Sequence, residues 1–158
     1  MESTELVEKV CNHSILGMPS DLMPRKTSNQ RSYSVSIPER ADWDQKRMEL
    51  EKADIRVYSD GSKTNSGVGA GIYCNNPRTE ISICLGKHSS IFQAEIHAIE
   101  ICARMLNQMQ LENKTIKVYS DSQAALKALE SSTCISKAVW SCKNELILLG
   151  ERNKITLT

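Results

Sequence analysis

Two aspartates in this chain close the same six-residue pattern. Ile55-Arg56-Val57-Tyr58-Ser59-Asp60 and Ile116-Lys117-Val118-Tyr119-Ser120-Asp121 both read Ile-basic-Val-Tyr-Ser-Asp. The alternation is that of a strand, in which successive side chains face opposite ways. Each aspartate then shares a face with its tyrosine, opposite the Ile and Val. If the two strands are parallel neighbours, both carboxylates emerge together at their C-terminal ends, the edge where open α/β sheets place their ligand sites. Taken singly, Asp60 before Gly61 reads as a turn aspartate and Asp121 before Ser122 as a helix cap. The matched pair argues against two unrelated local roles.

Glu95 is the third candidate. It follows Ala94 at the margin of an apolar helical stripe, one turn into its helix, and from there it can reach past the sheet edge. Three carboxylates converging within about 4 Å repel by several kcal/mol at an effective dielectric near 20. Either their pKa values rise or a cation holds them together. All-oxygen ligation without His or Cys selects a hard ion, Mg²⁺ or Mn²⁺. A pair of such ions about 3.5–4 Å apart can activate a water and stabilise the leaving oxygen of a phosphodiester.

The elements that must position these acids follow from the periodicity. A strand over Ile55–Ser59 ends in a turn at Asp60-Gly61. Alternation over 67–74 and 79–86, around Asn75-Asn76-Pro77-Arg78, predicts an antiparallel hairpin. Gly67, Gly69 and Gly71 belong to a closely packed strand; their spacing is not that of a nucleotide loop. Ala94, Ala98, Ile101, Cys102, Met105 and Met109 stripe a helix over 91–109. A strand over 115–120, a short helix from Ser122 to Glu130, a helix through Ile135, Val139, Cys142, Leu146 and Leu149 to Gly150, and a strand from Lys154 complete the order β, β, β, α, β, α, α, β. Strand–helix–strand crossovers demand parallel pairing. The fold class is therefore α/β, a mixed five-stranded sheet of three antiparallel strands followed by parallel ones, flanked by helices. Residues 1–37 read as a largely irregular linker, 38–53 as a polar helix or tether, and 54–158 as the domain.

Composition bounds the rest. At 158 residues, 40% hydrophobic and 25% charged, the chain holds one globular domain. The net charge of +1 does not announce a nucleic-acid binder, although residues 55–158 alone carry 12 basic and 9 acidic groups. The sequence has no membrane-length apolar run and no secretory leader, so an intracellular location, cytoplasmic or nuclear, is expected. Six cysteines without paired metal spacing read as free thiols, with Cys74, Cys84 and Cys102 in the core. His97, two residues from Glu95, points to another helix face and reads as structural. Tyr58 and Tyr119 read as packing beneath a helix, and Trp140 as shielding the edge of the core.

Three ordered motifs, Ser59-Asp60-Gly61-Ser62, Phe92-Gln93-Ala94-Glu95-Ile96-His97-Ala98-Ile99 and Tyr119-Ser120-Asp121-Ser122-Gln123-Ala124-Ala125, resemble the ribonuclease H type 1 family. The flavour is similar to the RNase H domain of non-LTR, jockey-like retrotransposon polyproteins, over about residues 54–158. The resemblance implies cleavage of the RNA strand of an RNA–DNA hybrid with two Mg²⁺, leaving 3′-hydroxyl and 5′-phosphate ends. It implies that Asp60 bridges both metals with help from Glu95 and Asp121. Gly61, Ser62 and Gln123 would face the hybrid's minor groove, where the 2′-hydroxyl distinguishes RNA from DNA. A reverse transcriptase would be the partner in a parent polyprotein. The family pattern continues into a Trp-x-Pro-x-His loop and an Asn-x-x-Ala-Asp helix, which supply a histidine and a fourth carboxylate. This sequence stops short of both, so weak turnover and uncovered sheet surface are expected. The last helix of the fold and the basic hybrid-binding protrusion are expected to be absent as well.

Other readings remain open at this point. One is a non-catalytic, nucleic-acid-binding remnant. A signalling receiver with an aspartate at a strand end is disfavoured by the antiparallel hairpin after the first strand. A related strand-transfer nuclease fits the Gln-Ala-Glu motif after three strands less well.

Overall fold

The structure, a computed structural model, describes residues 21–37 and 52–158. Its elements are β1 (Leu22–Thr27), β2 (Tyr33–Val35), β3 (Ile55–Thr64), β4 (Gly67–Asn75), β5 (Arg78–Gly86), α1 (Ile91–Gln108), β6 (Thr115–Ser120), α2 (Gln123–Glu130), β7 (Thr133–Ser136), α3 (Lys137–Gly150) and β8 (Lys154–Leu157). The polar helix or tether expected over 38–53 lies, but for its last two residues, outside the described residues.

The main sheet has the order β2-β8-β6-β3-β4-β5. Pairing is antiparallel along β3–β4–β5 and parallel along β3–β6–β8–β2. Five of these strands are the expected mixed sheet. The sixth, β2, comes from the stretch read as irregular linker, and so does β1, which pairs antiparallel with β7. Three residues are too few to display a period, and β2 is held by contacts the sequence does not advertise. Tyr33 is buried, and its hydroxyl donates to the carbonyl of Leu129 at 2.7 Å. Ahead of β1, Asp21 accepts from the Ala138 amide at 3.0 Å, satisfying a free donor at the start of α3.

Strand β3 runs to Thr64 rather than turning at Asp60-Gly61, because β4 pairs with it residue for residue from Val57–Cys74 to Thr64–Gly67. The helix expected from Ile135 begins at Lys137. Ser136 caps it, accepting from the Val139 amide at 3.2 Å, and Ile135 sits outward in β7. Cys74 and Cys102 are buried as expected, but Cys84 is exposed. It alternates with Ile81, Ile83 and Leu85, which turn inward, so the pleat turns Cys84 out.

Helix α1 packs on β3 and β4, and α3 packs on α1 and β8. The crossovers β5–α1–β6 and β6–α2–α3–β8 step the same way along the sheet, so right-handed connections put both on one face. Beneath them lie Ile55, Val57, Val68, Ala70, Ile72, Cys74, Ile116, Val118, Ile155 and Leu157, all buried. Arg56, Tyr58, Tyr73 and Tyr119 alternate onto the other face. There the Tyr58 ring stacks on Tyr119 at 4.8 Å and lies tilted against Tyr73 at 6.1 Å. Tyr58 and Tyr73 are exposed, so among the described residues no helix covers this face at those positions. Trp140 packs against the core with the Lys26 ammonium 4.8 Å from its ring centre.

Candidate metal centre

The two matched segments lie side by side. β3 and β6 are parallel, and Ile55 pairs with Ile116, Val57 with Val118, Tyr58 with Tyr119 and Ser59 with Ser120. The next residue on each strand is the aspartate. A parallel ladder in equal register thus carries Asp60 and Asp121 to the same edge. Their local alternatives fall away. Asp60 lies inside β3 and not in a turn. The cap of α2 is Ser122, whose hydroxyl accepts from the Ala125 amide at 3.3 Å, leaving the Asp121 carboxylate to other partners.

Helix α1 delivers Glu95. Ser90 and Gln93 form a capping box: the Gln93 amide donates to the Ser90 hydroxyl at 3.1 Å, and the Ser90 amide donates to Gln93 Oε1 at 2.9 Å. This fixes the first turn and sends Glu95 toward the strand ends. Glu95 is only 2% exposed. Its Oε1 accepts from the Gly61 amide at 2.7 Å and its Oε2 from the Ser120 hydroxyl at 3.3 Å. A side chain on Gly61 would crowd the glutamate: a Cβ there would lie 3.0 Å from Glu95 Cγ and 3.0 Å from Oε1. The glycine leaves room for the close approach of the glutamate.

Asp60, Glu95 and Asp121 each offer an oxygen within 4.8 Å of the others. Burial pushes the Glu95 carboxyl above its usual range; the Gly61 amide pulls it back, while Asp121 and Asp60 push it up further. This is a site short of positive charge. The donors are all oxygens, on rigid elements and partly desolvated, which fits a hard divalent cation and not zinc or copper. The cluster sits on an open rim of the sheet. A cleft lined by Arg31, Tyr33, Leu129, Glu130 and Lys143 lies elsewhere.

Of the residues expected to touch substrate, Ser62 and Gln123 are exposed near the cluster, the latter as the first residue of α2. The Gly61 amide is committed to Glu95. His97 lies 3.6 Å from Glu100, a buried acid that also takes bonds from Arg104 and Ser141 at 2.6 Å each. Burial alone would raise the Glu100 carboxyl, but His97, Ser141 and Arg104 outweigh it and hold it below the usual range. That group ties α1 to α3 and takes no part in the cluster. Sequence reasoning did not single out Ser120 or the Gly61 amide as the groups that orient Glu95. The signal was present as a Ser-Asp step on one strand and an Asp-Gly step on the other.

No family model and no curated protein matches the chain. Solved structures do. The crystal structure of LC11-RNase H1 in complex with RNA/DNA hybrid is similar at a TM-score of 0.52 and 15% identity, over 66% of this chain and 85% of that one. The crystal structure of RNase H1 from the halophilic archaeon Halobacterium salinarum NRC-1 gives a TM-score of 0.47 at 18% identity, over 66% and 83%. The likeness to the first is one of fold: this chain has an RNase H-like fold. Asp60 and Asp121 lie just past the last paired residues of the parallel β3–β6 ladder, the first inside β3 and the second after β6, and Glu95 lies in the second turn of the facing helix.

Proposed function

We propose that this protein hydrolyses the RNA strand of RNA–DNA hybrids endonucleolytically, with Asp60, Glu95 and Asp121 as the metal-holding and catalytic residues. The observation that carries the reading is the convergence of these three carboxylates within 4.8 Å at the edge of an RNase H-like sheet. A fold neighbour was solved with an RNA/DNA hybrid bound, which supports the same substrate class here. Asp60 would hold the ions together with the other two acids, as the motif resemblance implies. Glu95 is held in orientation by the Gly61 amide and the Ser120 hydroxyl, and Asp121 closes the set. Two Mg²⁺ or Mn²⁺ ions bound here would supply an activated water and charge neutralisation at the leaving oxygen. Ser62 and Gln123, exposed beside the cluster, meet the minor groove of the hybrid, whose 2′-hydroxyls mark the RNA strand. An open rim suits a long duplex better than a small molecule. The motif resemblance supports a retroelement polyprotein with a reverse transcriptase as the parent context.

The test is single-turnover incubation with an end-labelled hybrid in Mg²⁺ and in Mn²⁺. Cuts in the RNA strand alone, ending in 3′-hydroxyl and abolished by Asp60→Asn, are expected. Equal cutting of single-stranded RNA, or cutting that survives EDTA, contradicts the reading. Ion binding without any cutting would leave a non-catalytic remnant.

A further inference from the structure

We propose that the cleft at the C-terminal end of α2, apart from the metal centre, binds a phosphate group between Lys143 and Arg31. The cleft measures about 200 Å³. That is room for a phosphate and a few waters, since a water takes roughly 30 Å³ of liquid. Its walls are the stretch leading into β2, the end of α2 with Ser131 and Ser132, and Lys143 and Ile147 of α3.

Both cations are held in place by backbone. Arg31 Nη1 donates to the Glu130 carbonyl at 2.9 Å, and Lys143 Nζ donates to the Ser131 carbonyl. The Arg31 guanidinium also lies 5.8 Å from the centre of the Tyr33 ring. These carbonyls are free acceptors at the end of α2, and capping them is one use for the two side chains. Capping does not exhaust them. A helix end carries about half a negative charge, against two full positive ones here. An ammonium has three donors and a guanidinium five, and among the described residues each group makes one hydrogen bond. Glu130 is an exposed acid on the rim. Yet among the described residues no carboxylate forms an ion pair with either cation.

Lys143 is only 5% exposed, and a buried charge is costly unless it is paired. Burial is the main cause that pulls its ammonium below the ordinary range; Cys134 opposes this, Arg31 adds to it and Cys142 opposes it. An anion seated between Lys143 and Arg31 relieves their repulsion and gives the buried charge its partner. The donor set suits a phosphate: a planar fork for two oxygens, a point charge for a third, and the Ser132 hydroxyl on the cleft wall.

Such a phosphate comes either from a small phosphorylated compound or from a polynucleotide backbone. The 158-residue chain is titrated with inorganic phosphate in EDTA at constant ionic strength, followed by calorimetry, with acetate as the comparison ion. One-site phosphate binding, tighter than acetate, is expected. Arg31→Gln and Lys143→Met should each weaken it about 10-fold or more, the loss of a charge-assisted hydrogen bond. Arg31 is exposed, so its variant keeps the test open if Lys143→Met does not fold. No saturable phosphate binding, binding unchanged in Arg31→Gln, or acetate binding as tight overturns the proposal. An RNA–DNA hybrid in the same metal-free buffer identifies the source. Several-fold weaker hybrid binding in Arg31→Gln, with a salt slope shallower by about one, marks a backbone phosphate. Unchanged or undetectable hybrid binding marks a small phosphorylated compound. Neither readout involves cleavage, so the result stands apart from the nuclease reading.

Discussion

Replacing Gly61 by alanine separates the architecture of the metal centre from the stability of the fold. The new Cβ would lie 3.0 Å from Glu95 Cγ, 3.0 Å from Oε1 and 3.1 Å from Cδ. Carbon contacts settle near 3.5–4 Å, so the glutamate must withdraw by roughly 0.5 Å. That stretches the 2.7 Å bond from the Gly61 amide past ordinary length. A hydrogen bond to a charged group contributes about 1.5–3 kcal/mol, so ion affinity should fall about 10- to 100-fold. Stability should move little. Alanine narrows the unfolded ensemble by about 0.4–1 kcal/mol and offsets part of the crowding. Mn²⁺ titration followed by paramagnetic resonance reads the affinity, and a thermal melt in EDTA reads the fold. Gly71→Ala is the control, because its Cβ would find only the Asp60 carbonyl oxygen at 4.0 Å. Unchanged Mn²⁺ affinity in Gly61→Ala, with the melt intact, would refute the account of Glu95 positioning.

Three further outcomes follow from the same coordinates. Asp60→Asn removes one of three mutually repelling charges, so without metal it should melt a few degrees higher, while losing the Mg²⁺-induced gain of the parent protein. The Glu95 carboxyl sits above its unfolded value, so the folded state holds this proton more tightly; metal-free stability should decline as pH rises from about 4.5 through the raised pKa. Glu95→Gln should flatten that decline, as denaturant melts at stepped pH will show. Asn153→Ala should cost about 2–3 kcal/mol in urea unfolding, because its amide donates to the carbonyls of Leu111 and Leu149 and its oxygen takes the Lys114 amide, all in one nearly buried side chain.

The twin hexapeptides were the most legible feature, because side-chain period and backbone register express the same fact twice. The hairpin and α1 were legible for the same reason: their apolar periods are long enough to count. The Asp60-Gly61 pair misleads because the same dipeptide serves turns and close approaches alike; here the missing side chain makes room for Glu95 and not for a bend. Strand β2 is invisible to periodicity. Its anchor is one tyrosine among serines and asparagines, and the partner that explains it, the Leu129 carbonyl, is 96 residues away. The exposure of Cys84 was legible in the alternation: it shares its phase with Ser82, opposite Ile81, Ile83 and Leu85, whereas Cys74 is in phase with Val68, Ala70 and Ile72.

The open rim on which the three acids sit bears on how this centre can be blocked. A small inhibitor ordinarily gains its hold from concave apolar walls that bury most of its surface. Asp60 and Asp121 are exposed, and neither lines the cleft at Arg31, Tyr33 and Lys143. A compound competing here must therefore draw its affinity from chelating ions between the carboxylates, and its selectivity from whatever it can reach of Ser62 and Gln123.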